Sequence, residues 1–254
     1  MKGIFSIVSA VAIAGSAMAQ DASGTAAAPA TAPAAEAFSL KGFGFNEKIN
    51  FYNLGSGNVT EFVQDFTWNA SDDTQFHFAV PVYTDGNTGA GMSVLGVKLT
   101  THDAPFKFVD AIHLGFDLKL PTDSAGFGGD SVNPVIGVGA EGKTGIDNLS
   151  WNAGFDWEWN SEGDYLPIFG GLVEEDVLHV KAGLGYVICS GLDFNVNYNF
   201  WSLDGAGSLN TIGPGFSYEV CKNADFDFSC DIPFAEDDAS DLDLVVRFGL
   251  NVKF

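Results

Sequence analysis

The side chains with the strongest claim to chemistry are four histidines (His77, His102, His113 and His179), three cysteines (Cys189, Cys221 and Cys230) and a large excess of carboxylates. Metal and hydrolytic centres need these types at fixed spacings. The chain has no His-Glu-x-x-His pair and no D-x-[DN]-x-[DN]-G calcium loop. No histidine is followed two positions on by serine. Asp176 and His179 are the one acid–base pair that the sequence brings close at a predicted loop edge, and no nucleophile accompanies them. The run Glu236-Asp237-Asp238 reads as solvated charge rather than as a cation site. No catalytic residue, metal or cofactor is therefore expected, and the chain does not read as an enzyme. Three cysteines leave one odd. A Cys189–Cys221 disulfide and three free thiols both remain open.

The carboxylates carry a different message, because many sit at every second position between apolar residues. Glu61 and Asp65 alternate with Phe62, Phe66 and Trp68. Asp117 alternates with Phe116 and Leu118, and Asp156 and Glu158 with Phe155, Trp157 and Trp159. Asp193 follows Leu192, and Asp225, Asp227 and Asp231 interleave Phe226 and Phe228. Asp241 and Asp243 interleave Leu242 and Leu244. The same polar faces hold only Lys48, Lys98, His113, Lys119, Lys181, Arg247 and Lys253 as bases. Acids lining a conduit would concentrate cations and repel anions.

Period-two alternation places successive side chains on opposite faces of a strand. It can be followed through twelve segments: 41–53, 59–70, 73–83, 92–101, 108–120, 132–141, 146–160, 177–189, 192–201, 209–220, 225–231 and 240–254. Aromatics at 13%, with 23 Phe and 31 Gly, suit strands and tight turns better than helices. Pro134 and Pro214 weaken the sixth and tenth segments. Connections after even-numbered strands are short and those after odd-numbered strands mostly long, as an up-and-down barrel with both ends on one side requires. The longest, Asn160–Asp176, mixes Tyr165, Leu166, Ile168 and Phe169 with Glu174, Glu175 and Asp176. It either folds into the barrel mouth or caps its surface. No apolar run approaches the ~18 residues of a spanning helix. Only a closed barrel could then satisfy the backbone within lipid. The competing fold is a secreted β-sandwich, since alternation does not say which face is inside.

Residues 1–19 carry Lys2, an apolar run over Ile4–Ala14 and the small-x-small site Ala17-Met18-Ala19, which predicts a cleaved secretory signal. Residues 20–38 are Ala/Pro-rich and aperiodic, a disordered lead-in. The barrel then occupies 39–254. Loss of Lys2 leaves a chain one unit more negative than the −22 of the full sequence, and nucleic acid is excluded as a partner.

The last strand ends in Arg247, Gly249, Val252 and Phe254, spaced x-G-x-x-Φ-x-Φ. This resembles the C-terminal assembly signal of Gram-negative outer-membrane β-barrels. The resemblance implies a transmembrane antiparallel up-and-down barrel of about twelve strands in the cell outer membrane, inserted by the barrel-assembly machinery among lipid and lipopolysaccharide. Trp68, Phe106, Phe108 and Phe254 would form one aromatic girdle, and Trp157, Trp159, Phe200 and Trp201 the other. The function expected is a porin-like channel for passive diffusion of small solutes or ions, preferring cations. The alternative is a non-conducting structural or adhesion barrel with acidic surface loops.

Overall fold

The computed structural model describes residues 42–254, except 86, 104–105, 122–126, 128, 161–162 and 237–239. The expected leader over 1–19 and lead-in over 20–38 lie outside the described residues, as do Asp237 and Asp238. The strands are β1 (Phe43–Leu54), β2 (Gly57–Ser71), β3 (Thr74–Asp85), β4 (Asn87–Ala90), β5 (Ser93–Thr101), β6 (Ala111–Leu120), β7 (Asn133–Lys143) and β8 (Leu149–Glu158). They continue with β9 (Asp164–Leu166), β10 (Gly171–Val173), β11 (Val177–Cys189), β12 (Leu192–Leu203), β13 (Gly207–Cys221), β14 (Ala224–Glu236) and β15 (Leu242–Lys253).

Twelve of these form a closed antiparallel barrel, each expected segment supplying one strand. β4 folds back on the end of β3, and β9 with β10 makes a separate hairpin. Closure comes from β1 pairing with β15, Gly44 opposite Lys253 through Leu54 opposite Leu242. That pairing leaves no free sheet edge, which is what lipid demands of a spanning sheet. The barrel has a termini end, near Phe43 and Lys253, and an opposite loop end.

The two faces of the wall decide between barrel and sandwich. Phe66, Phe78, Leu95, Phe116, Phe155, Phe194, Phe216 and Leu250 all point outward and are 37–49% exposed. A sandwich would bury these residues. Left in water, each Å² of that apolar surface would cost about 25 cal/mol, so the medium it meets is lipid. Aromatics thicken at the termini end, where Trp68 stacks on Phe43 at 6.2 Å and on Phe76 at 5.7 Å. Phe106 and Phe108 pair in the β5–β6 connection at 5.6 Å, with Trp151 next to Phe108, and at the loop end Trp157 meets Trp159 at 6.5 Å.

Several strand ends differ from the periodic reading, and three of the differences have a visible cause. β6 begins at Ala111, because Phe108 stays in the preceding turn and its carbonyl accepts the Trp151 indole N–H at 3.0 Å. β14 runs to Glu236 rather than stopping at Asp231. Its Pro233 falls where the register with β13 shifts between Asn210 and Thr211, so the irregularity absorbs the missing N–H. In β15, Leu244 faces Asn53 but Leu242 faces Leu54, which leaves Asp243 as an extra, exposed residue. The bulge turns Leu242 inward to 1% exposure, against the outward position that strict alternation gives it. Cys189, Cys221 and Cys230 are free thiols, which resolves the open choice against a disulfide.

Candidate functional site in the barrel lumen

The inward faces build a lumen in three levels. At the loop end it is filled by apolar side chains. Tyr52, Leu54, Val59, Leu209, Leu242 and Val245 come from the wall and pack around Tyr165 and Ile168 of the long connection. That connection folds into the mouth rather than over it. Pro167 opens its single 3-10 turn with a preset φ, and Gly170 closes it at φ 75°, a left-handed conformation that suits glycine. Tyr165 lies 4.9 Å from both Tyr83 and Phe127, so two inward loops and one strand share an aromatic contact.

Polar anchors tie the hairpin to the wall. Lys119 Nζ on β6 donates to Glu158 on β8 at 2.6 Å and to Asp164 on β9 at 2.5 Å. Ser240 Oγ donates to the Ile168 carbonyl at 2.7 Å. Asn133 Nδ2 donates to Asn160 Oδ1 at 2.7 Å, and the Asn160 amide donates to the Val173 carbonyl.

Below this plug lies a cavity of about 490 Å³. Its wall mixes Tyr52, Tyr83, Pro81 and Ile168 with Glu61, the Arg247–Asp231 ion pair and Lys119, and Glu61 lies directly opposite Tyr83 across the β2–β3 ladder. Glu61 accepts from Asn50 Nδ2 at 2.7 Å and from the Tyr52 hydroxyl at 2.8 Å. His179 stacks flat on Trp201 at 3.5 Å and 3°, and both line the cavity. Towards the termini end the lumen carries His77 against Asp117 at 3.4 Å and Lys181 against Asp156 at 2.7 Å. Asn251 donates to Asp227, and Lys253 lies 3.2 Å from Asp225.

The lumen thus takes in Glu61, Asp65, Asp117, Asp156, Glu158, Asp225 and Asp227 by strand parity, with Asp193 at its exposed termini end. Asp241 and Asp243 are not on the pore wall. The Asp241 carboxylate accepts the Ser56 amide at 2.9 Å and braces the β1–β2 turn, and Asp243 is the exposed bulge residue. Trp201 does not belong to the outer girdle. It shares the parity of Asn197 and Asn199, so the alternation already pointed it inward, against the composition rule for strand-end aromatics. His179 faces Asp156 at 3.6 Å rather than Asp176, which instead accepts the Asn160 amide at 2.9 Å. Sequence reasoning missed Asp164 and the pairing of Lys119 with it, for which no local pattern exists.

A family profile described as "Putative MetA-pathway of phenol degradation" matches residues 21–245. The chain belongs to that family. Among solved structures, an outer membrane channel from Pseudomonas putida F1 aligns with a TM-score of 0.63 at 10% identity, over 89% of this chain and all of that one. The NanC porin aligns at 0.59 and 9% identity, over 83% of this chain and 100% of its own. The CymD monoaromatic hydrocarbon channel aligns at 0.51 and 10%, over 84% and 89%. No curated protein sequence matches the chain. The fold is that of the outer-membrane channels, and the barrel resides in the cell outer membrane.

One arrangement in the lumen has the outline of an acid–base relay. His113 stands 3.1 Å from Thr100 Oγ1 by its Nδ1 and 3.6 Å from Glu141 by its Nε2. The second separation is beyond hydrogen-bond reach. The Thr100 backbone amide donates to the Asp73 carbonyl at 2.9 Å.

Proposed function

We propose that this barrel is a passive channel for small solutes across the outer membrane, with cations favoured over anions. The carrying observation is the lumen itself, a cavity of about 490 Å³ in which apolar and aromatic side chains share the wall with Glu61, Lys119, Asp164, Asp231 and Arg247. Diffusion down a gradient makes and breaks no bond and calls for no cofactor. Carboxylates outnumber bases on the inward faces, and their field raises the local concentration of cations. Insertion would depend on the barrel-assembly machinery reading Arg247, Gly249, Val252 and Phe254, with lipid and lipopolysaccharide around the wall.

A second reading concerns the solute. Tyr52, Tyr83 and Trp201 offer ring faces in the same cavity in which Glu61 and Arg247 offer polar atoms. That pairing suits a small aromatic molecule bearing a polar group, and the description of the family and the hydrocarbon channel among its structural neighbours point the same way.

The test is single-channel recording of the refolded protein in a planar bilayer under a KCl gradient. Conductance steps with a reversal potential on the K⁺ side support the reading, and dose-dependent block by phenol supports the aromatic solute. Inserted, folded barrels that never conduct would favour the structural or adhesion alternative.

A further inference from the structure

Among the described residues, the lipid-facing wall has one break in its apolar cover at mid-strand. Outward residues of β1 run Phe43, Phe45, Glu47, Ile49 and Phe51, and those of β2 run Thr60, Phe62, Gln64, Phe66 and Trp68. Glu47 and Gln64 are direct cross-strand partners, flanked in the same row by Leu250 and Val80. They sit four residues along their strands from the stacked Phe43–Trp68 pair, which is about 10 Å into the apolar band at ordinary strand rise and tilt. Glu47 is exposed. Elsewhere, among the described residues, the outward positions at mid-strand are apolar, as at Leu114, Val138, Phe155 and Phe248.

Lipid tails neither donate nor accept hydrogen bonds, so a carboxyl group and a primary amide facing hydrocarbon depend on protein partners, and together they carry more donors and acceptors than one bond between them would use. The two groups are complementary to each other's copies. Glu47 offers acceptors and Gln64 offers an NH₂ donor, side by side at the spacing of adjacent strands. A two-fold axis along the membrane normal and through the midpoint of the pair sets Glu47 of each copy against Gln64 of the other. Such an interface is satisfied twice by one surface. We propose that this β1–β2 face is the contact between two copies of the chain, with Phe45, Ile49, Phe62 and Phe66 packing around the polar centre.

The test is the mass of the refolded full chain by light scattering, in detergent and in lipid nanodiscs, with heat-modifiable gel migration confirming that each variant is folded. The wild type should have the mass of two chains. Glu47→Leu/Gln64→Leu, which makes the wall uniformly apolar, should fold and be monomeric. Gln64→Glu, which sets carboxylate against carboxylate across the axis, should weaken association at least tenfold. A monomeric wild type in both media overturns the proposal, and so does a dimer whose affinity is unchanged in both variants.

Discussion

Lys119 is the point at which the hairpin is held to the wall, and its replacement is the most informative perturbation of the lumen. Its ammonium lies 2.6 Å from Glu158 and 2.5 Å from Asp164, and those two acid side chains are only 9% and 6% exposed. Lys119→Met removes the cation and leaves two carboxylates no more than about 5 Å apart, a repulsion of roughly 3 kcal/mol at an effective dielectric of 20. Breaking a buried pair from one side costs about 3–5 kcal/mol in general, so the two estimates agree. The hairpin is the mobile member, because Glu158 is fixed in the barrel ladder and Asp164 belongs to a two-stranded hairpin tied elsewhere by a few hydrogen bonds. The variant should therefore loosen the hairpin without unfolding the wall. Two assays read this: larger single-channel conductance, and faster proteolytic nicking within 163–173. Lys119→Arg should retain both wild-type values. Lys119→Met/Asp164→Asn, which removes the repulsion, should recover most of the protease resistance. A Lys119→Met channel with unchanged conductance and unchanged nicking would refute the reasoning.

Three further outcomes are expected. Tyr165→Ala removes the ring shared with Tyr83 and Phe127. It should cost about 3 kcal/mol of local packing, visible as a conductance rise without loss of the heat-modifiable barrel. Asp231→Asn leaves Arg247 without its carboxylate. One charge acting at about 5 Å through water changes the local cation concentration about fourfold, so the reversal potential should move towards the anion side. Phe116→Arg puts a cation on the lipid face of β6 and should lower the unfolding free energy by about 2–4 kcal/mol, measured by urea titration in a bilayer.

The wall was legible because the bilayer constrains it so strongly. Strand length and period two are local properties, and Phe76–Val82 or Leu114–Leu120 display both without knowing their neighbours. Features that depend on a partner were hidden. The bulge at Asp243 exists only relative to Asn53 and Leu54 of β1, and it alone reverses Leu242. Nothing near Lys119 announces Asp164, which is 45 residues away. Tyr165 and Ile168 did signal that their loop needed apolar company, but the company could have been a cap or a mouth until Tyr83 and Phe127 supplied it. Trp201 shows two local rules in conflict, and the geometric one prevailed over the compositional one.

The formal charge of the chain is a poor guide to the field inside it. Many lumen carboxylates face a base from the adjacent or next-but-one strand: Asp156 has Lys181, Glu158 and Asp164 share Lys119, Asp231 has Arg247, Asp225 has Lys253, and Asp117 has His77, which is a cation only when protonated. Much of the acidic surplus lies at the rim, where Asp241 and Asp243 meet solvent and salt screens them. Glu61 and Asp227 differ in kind. Their hydrogen-bond partners are the amide of Asn50, the hydroxyl of Tyr52 and the amide of Asn251, groups that donate hydrogen bonds without cancelling charge. The proposed preference for cations therefore rests on a few lumen acids whose hydrogen-bond partners are neutral. Glu61, beside the cavity, should weigh more in selectivity than any of the acids paired with a base.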